Sequence, residues 1–200
     1  MNTKIKLCGF NDPDMIVWVN RSRPDYVGYV FAEKSRRFVT PETAAVMTRI
    51  LDDCITPVGV FVDSPFEYID ALRKAGTIKA AQLHGKESDD LIKRLQDTGL
   101  TVIKAFEVRS QEDLENAVLS PADFVLLDSG KGSGVTFDHS LLREFHKDYF
   151  LAGGLTPENV GDAIEKYHPY AVDASSSLET NGMKDYIKIL AFTDAVRKKG

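Results

Sequence analysis

No apolar run in this chain approaches the roughly 20 residues that a membrane-spanning helix needs. Nor is there a block of basic residues. The 25 lysines and arginines are outnumbered by 30 aspartates and glutamates, for a net charge of −5. That balance argues against a nucleic-acid surface, so a small anionic substrate would need a local positive site. The first residues lack the basic region, apolar stretch and cleavage site of a secretion signal. Only two cysteines occur, Cys8 and Cys54, and they have no metal-ligand spacing. Both are expected to be reduced thiols in a cytoplasmic protein. No linker or composition shift divides the 200 residues, so one domain is expected over 1–200. With 43% hydrophobic residues, a sizeable core is available.

What is present is a strict alternation of short apolar runs and amphipathic ones. The strand candidates are 5–9, 26–31, 58–62, 78–83, 101–106, 123–128, 149–154 and 170–175. They are rich in Val, Ile, Phe and Tyr, and most end at Gly, Ser or Asp. The clearest helical patterns are 41–53, 66–75, 88–98, 157–167 and 185–199. Thr40-Pro41 and Thr156-Pro157 read as helix starts, a capping threonine followed by proline at the first helical position. Trp18 falls in a first helix, as a core residue. Eight strand–helix units, at a repeat of about 25 residues, predict an α/β fold, a single-domain (β/α)8 TIM barrel. A doubly wound open sheet is the rival. It usually has fewer strands and often a glycine-rich turn after the first, whereas here CGF runs into NDPDM.

In a barrel the strand faces alternate between the helical layer and the interior, and the active site lies at the C-terminal strand ends. The outer face must be apolar because helices cover it. In KIKLCG, Ile5 and Leu7 then point outward, while Lys6 and Cys8 point inward, with Cys8 at the mouth. The same rule turns Gln82 and His84, then Leu126 and Asp128, then Asp173 and Ser175 inward. Taken singly, a strand-end aspartate is more often a cap, and an inward cysteine is more often a small core residue. Their convergence on one rim is what points to a site.

Three glycine- or serine-rich loops share that rim. Gly153-Gly154 in LAGGLTPENV and the serines of DASSSLETNGMKD follow strands seven and eight, where such barrels often bind phosphate. A tight turn alone would also explain Gly153-Gly154. The loop DSGKGSGVTFD could be a lid or merely flexible. Its Lys131 is not part of a P-loop, whose spacing is absent. Arg36 and Arg37 in FAEKSRRFVTPE offer a positive charge, although a solvated pair explains them as well.

Together these stretches, with VGVFV, AAQLHGKE and the ordered series KLCGF…QLHGKE…LLDSGKGSGVTFD, resemble the phosphoribosylanthranilate isomerase family along the whole chain. The resemblance implies a cofactor-free (β/α)8 isomerase of tryptophan biosynthesis, a monomer or homodimer with no metal. Its partner would be a small phosphosugar-anthranilate substrate. The implied reaction is an Amadori rearrangement of N-(5′-phosphoribosyl)anthranilate to the 1-deoxyribulose phosphate. The family's general base falls on Cys8 and its general acid on Asp128. Arg37 matches the arginine that holds the anthranilate carboxylate. The phosphate loops match Gly153, Gly154, Ser175 and Ser176, and Gln82, His84 and Asp173 complete the expected substrate-binding set. His84 would have an orienting or packing role.

There are departures from the family pattern. Arg36 stands where proline is common, Ser177 replaces a glycine of the phosphate loop, and His139 replaces a tryptophan. The serine puts the fine geometry of that loop in question. The reaction needs an aspartic acid that is protonated when substrate is bound, which asks for desolvation or a nearby anion. It also needs a thiolate, whereas a free thiol ionises only at about pH 8.5. Lys6, on the same strand face, is expected to favour that thiolate. Cys54 is read as packing near a helix end, and His146 and His168 as surface residues. Two rival phosphate-binding barrel enzymes fit less well. An epimerase wants metal-ligating histidines at several strand ends, and only His84 qualifies. An indole-glycerol-phosphate synthase relies on a lysine acid in a longer chain. A non-catalytic sugar-phosphate-binding barrel is the reading from another class.

Overall fold

The computed structural model describes residues 2–128, 145 and 147–199. Eight parallel strands close into a barrel in sequence order. They are β1 (Lys4–Cys8), β2 (Tyr26–Val30), β3 (Thr56–Phe61), β4 (Ala80–Leu83), β5 (Thr101–Glu107), β6 (Phe124–Asp128), β7 (Tyr149–Ala152) and β8 (Ala171–Ala174). Around them lie α1 (Ile16–Ser22), α2 (Pro41–Arg49), α3 (Phe66–Lys74), α4 (Asp89–Asp97), α5 (Gln111–Leu119), α6 (Val160–Tyr167) and α7 (Tyr186–Arg197). A short hairpin, β9 (Glu179–Thr180) with β10 (Met183–Lys184), follows β8. The glycine loop read as either a lid or a merely flexible segment lies outside the described residues beyond Asp128, as do Lys131, His139 and His146.

The alternation of apolar and polar residues sorts the core into two shells. Ile5, Leu7, Val27, Ala81, Leu83, Val125, Leu127 and Val172 join the cluster between sheet and helices. Val58, Ala80, Ile103, Ala105, Leu126, Phe150 and Ala171 fill the barrel. Its floor is aromatic. Tyr170 stacks on Phe124 at 4.7 Å, Phe150 packs edge-on against Tyr26 at 5.3 Å, and the Tyr26 and Tyr170 hydroxyls meet at 2.9 Å. With its floor plugged, the barrel opens to solvent where the strands end in polar residues. Closure comes from β1 pairing with β8, in a register that sets Lys6 beside Asp173.

Local signals account for most of the element boundaries. Thr40 caps α2 by accepting from the Thr43 N–H at 3.2 Å, with Pro41 following, as expected. The Thr156-Pro157 start differs: α6 begins at Val160, not at 157. The Asn159 side chain accepts from Thr156 N–H at 2.8 Å and donates to the Gly154 carbonyl at 3.0 Å. It thereby holds residues 157–159 as a separate turn. Helix α2 stops at Arg49 rather than 53, which leaves Cys54 exposed in the turn before β3 while Ile55 takes the buried place. The thiol is therefore not packing material. Helix α5 has a weak apolar face; its signal is a capping box between Ser110 and Asp113. Trp18 lies in α1, part-buried against Tyr186, and His168 is exposed at the end of α6.

Candidate active site

All ten residues singled out by the sequence line one cavity of about 400 Å³ at the C-terminal mouth of the barrel. Cys8 and Asp128 come from β1 and β6, which are separated by β7 and β8 around the closed sheet. They therefore face the cavity from well-separated walls. Gln82 and His84 follow from β4, Arg37 from the loop after β2, and Gly153 and Gly154 from the loop after β7. Asp173, Ser175 and Ser176 belong to the end of β8 and its loop.

Cys8 is buried, and burial pushes its thiol up, with Asp173 acting in the same direction. The Lys6 and Lys184 ammonium groups pull the other way without cancelling the effect. Lys6 is completely buried, its Nζ 2.8 Å from Asp173 Oδ1. Burial works against the Lys6 charge, yet Asp173 and Cys8 together outweigh it and hold Lys6 above the ordinary lysine range. Asp173 is itself raised, by burial and by the Asp128 carboxylate, against the pull of Lys6. The influence expected of Lys6 on the thiol is present and has the expected sign, but it is not large enough to make a resting thiolate. The site rests as a thiol beside a buried ion pair.

Arg37 is not a solvated cation. Its Nε and Nη2 donate to the two oxygens of Glu179 at 2.6 and 3.1 Å. Arg36 Nη2 reaches the same carboxylate at 2.6 Å and Lys184 Nζ at 3.1 Å. Burial would raise Glu179, but Arg37 and Lys184 hold it below the usual carboxylate range. Burial pulls Lys184 down despite Glu179. Glu179 and Lys184 were not among the residues the sequence picked out. The signal that finds them is Asn181-Gly182, a hairpin turn with both residues at positive φ, 53° and 81°. It places Lys184 opposite Glu179.

The loops are tied to this centre. The Ser175 hydroxyl donates to the Cys8 carbonyl at 3.0 Å, and Lys184 donates to the Ser175 carbonyl at 3.0 Å. The hydroxyl of Ser175 is thus engaged by β1. Gly153 and Gly154 have φ of 89° and 68°, values that side chains rarely tolerate. Ser177 lines the cavity without a positive φ, so a serine fits there.

At β4, Gln82 Nε2 lies 3.2 Å from His84 Nδ1. Its Oε1 is buried with no hydrogen-bond partner among the described residues. The rest of the QLHGKE stretch is a frame. Glu87 accepts from Asp63 N–H at 3.0 Å, from Gly85 N–H at 2.9 Å and from Lys104 Nζ at 2.9 Å. A Cβ at Gly85 would lie 2.4 Å from Asp63 Oδ1. Among the described residues, no cluster of three or more His, Cys, Asp or Glu side chains could hold a metal ion, and no helix is long and apolar enough to cross a membrane.

Residues 5–195 match the family described as N-(5'phosphoribosyl)anthranilate (PRA) isomerase. A protein of that name from Endomicrobium trichonymphae is 40% identical over 200 residues, covering 97% of this chain and 98% of the relative. The crystal structure of the Thermotoga maritima phosphoribosyl anthranilate isomerase superposes with a TM-score of 0.90 at 35% identity, over 98% of this chain and 99% of that one. A further phosphoribosyl anthranilate isomerase structure, in complex with reduced 1-(o-carboxyphenylamino)-1-deoxyribulose 5-phosphate, gives a TM-score of 0.89 at 34% identity, with the same coverage.

Proposed function

This chain belongs to the N-(5'-phosphoribosyl)anthranilate isomerase family, and from that membership we propose that its barrel mouth performs an Amadori rearrangement by acid–base catalysis, with Asp128 as acid and Cys8 as base. The observation that carries the reading is the placing of these two groups on separate walls of one cavity.

The steps balance without an added redox partner. Asp128 gives its proton to the ribose ring oxygen as the bond to carbon 1 breaks. The aniline nitrogen supplies the electron pair and the product is an iminium ion. The Cys8 thiolate takes the proton from carbon 2 and leaves an enolamine, which tautomerises to the ketone. The thiol rests protonated, so its ionisation must be favoured once substrate binds. The buried Lys6 charge and the iminium charge forming beside Cys8 both act in that direction. The ligand bound by the relative named above carries a carboxylate and a phosphate. Arg37 is the cation that suits the first. The loop of Gly153 and Gly154, with Ser175 and Ser176, suits the second, chiefly through backbone N–H groups. Gln82 Oε1, buried and without a hydrogen-bond partner among the described residues, would reach a sugar hydroxyl only if the side chain turned toward the cavity.

The test follows the fluorescence of phosphoribosylanthranilate made in situ by the preceding enzyme. The native protein should remove it far faster than the blank. Cys8→Ala and Asp128→Asn should each lose about 10²–10⁴-fold with circular dichroism unchanged. Decay at the blank rate, or either variant retaining native kcat, would overturn the assignment.

A further inference from the structure

Arg37 carries five N–H donors on a planar fork. Glu179 takes two of them, on Nε and Nη2. The opposite edge, both hydrogens of Nη1 and one of Nη2, is left to other partners. The guanidinium is also held from below. A Cβ at Gly9 would lie 2.3 Å from Arg37 Cδ, so the arginine stem occupies the space beside the strand end that bears Cys8. Glu179 is fixed in turn. Its side chain is 4% exposed, it rides on the β9–β10 hairpin, and Lys184 grips it from across that hairpin. One buried carboxylate therefore gathers three cations, Arg36, Arg37 and Lys184. The cluster keeps an excess of two positive charges, one of which a substrate carboxylate would offset.

We propose that Glu179 is a positioning residue for the substrate carboxylate: it anchors one edge of Arg37 so that the other edge is presented, already oriented, to the cavity. This rests on the reading of Arg37 as the group that holds the carboxylate. A loose arginine would lose rotamer freedom on binding, and an anchored one has already lost it on folding. The competing arrangement is a Glu179 that occupies Arg37 against the substrate and must be displaced. The two differ in sign, because removing a competitor tightens binding and removing an anchor loosens it.

The probes are two stable inhibitors: reduced 1-(o-carboxyphenylamino)-1-deoxyribulose 5-phosphate and its counterpart without the ring carboxylate. Inhibition constants are measured with the native enzyme, Arg37→Ala, Glu179→Gln and the double variant. Glu179→Gln should weaken the carboxylated inhibitor about tenfold, leave the other within about twofold, and raise KM with kcat nearly unchanged. In the Arg37→Ala background its effect should disappear. If Glu179→Gln fails to fold, Glu179→Asp takes its place, since drawing the carboxylate back by one methylene breaks the paired geometry while keeping the charge. If Arg37→Ala does not distinguish the two inhibitors, the carboxylate reading of Arg37 fails and this inference falls with it. If Arg37→Ala does distinguish them, three results overturn the anchoring role alone: equal weakening of both inhibitors by Glu179→Gln, no weakening, or tightening of the carboxylated one.

Discussion

Gly28 of β2 is paired in register with Cys8 of β1, and a Cβ built on it would lie 2.6 Å from the Cys8 sulfur. The thiol thus occupies the volume that any other residue at position 28 would fill. Gly28→Ala should push the sulfur off its line to the substrate, at the cost of overpacking, about 1–3 kcal/mol. The expected result is a kcat at least tenfold down, with Cys8 still alkylated by iodoacetamide in denaturant. A Gly28→Ala enzyme with native kcat would mean that the exact seat of the thiol is unimportant.

On the proposed mechanism, the Lys6–Asp173 pair should set how activity depends on pH. Burial lifts the Cys8 thiol, and Lys6 opposes the lift. Only the thiolate accepts a proton, so kcat/KM of the free enzyme should climb through the alkaline range. Lys6→Met removes the opposing cation. The thiol pKa rises further, the climb moves to higher pH, and activity at pH 7.5 falls. The same change strands Asp173 as a buried carboxylate, which costs about 3–5 kcal/mol. Adding Asp173→Asn should restore the melting temperature but not the rate. A pH–rate profile for Lys6→Met that overlays the native one would remove Lys6 from the mechanism.

Glu87 and Lys104 should matter for stability. The Lys104 ammonium lies 2.9 Å from Glu87 and donates to the Gly85 carbonyl at 2.7 Å, with side chains 9% and 1% exposed. Lys104→Met leaves Glu87 without its cation and should lower stability by about 3–5 kcal/mol, roughly 10 °C in Tm at this chain length. The surface pair Lys199–Glu165, with both side chains more than 40% exposed, is the control. Lys199→Met should shift Tm by about 1 °C or less. Equal shifts in the two variants, read by thermal melts, would contradict the idea of a buried lock.

The barrel and its rim were legible because two-residue alternation assigns each strand side chain to one of two faces. Gln82, Asp128 and Asp173 could be turned inward by that rule alone. Partnership across the closed barrel is not written in any local pattern. Arg37 looked like a solvated cation because Glu179 lies 142 residues further along the chain. Lys6 looked like a free cation beside a thiol because its partner is strand eight's aspartate. Thr156 carried the right residues for a cap, but the Asn159 side chain claimed the loop first. The glycine and glutamate of QLHGKE, distinctive as a motif, turned out to frame a loop rather than touch the cavity. Cys54 was misplaced by a helix end that came four residues early.

Lys6 meets Asp173 across 167 residues of sequence, and the Cys8 carbonyl meets Ser175 across the same span. The ribosome adds about 5–20 residues per second, so the thiol emerges roughly 10–30 s before the residues that enclose it. During that interval Cys8 is an ordinary cysteine, open to oxidants and electrophiles, with neither ion pair nor burial to restrain it. An alkylating pulse given to nascent chains would therefore mark Cys8 in those not yet grown past strand eight, whereas finished barrels would react only at the exposed Cys54.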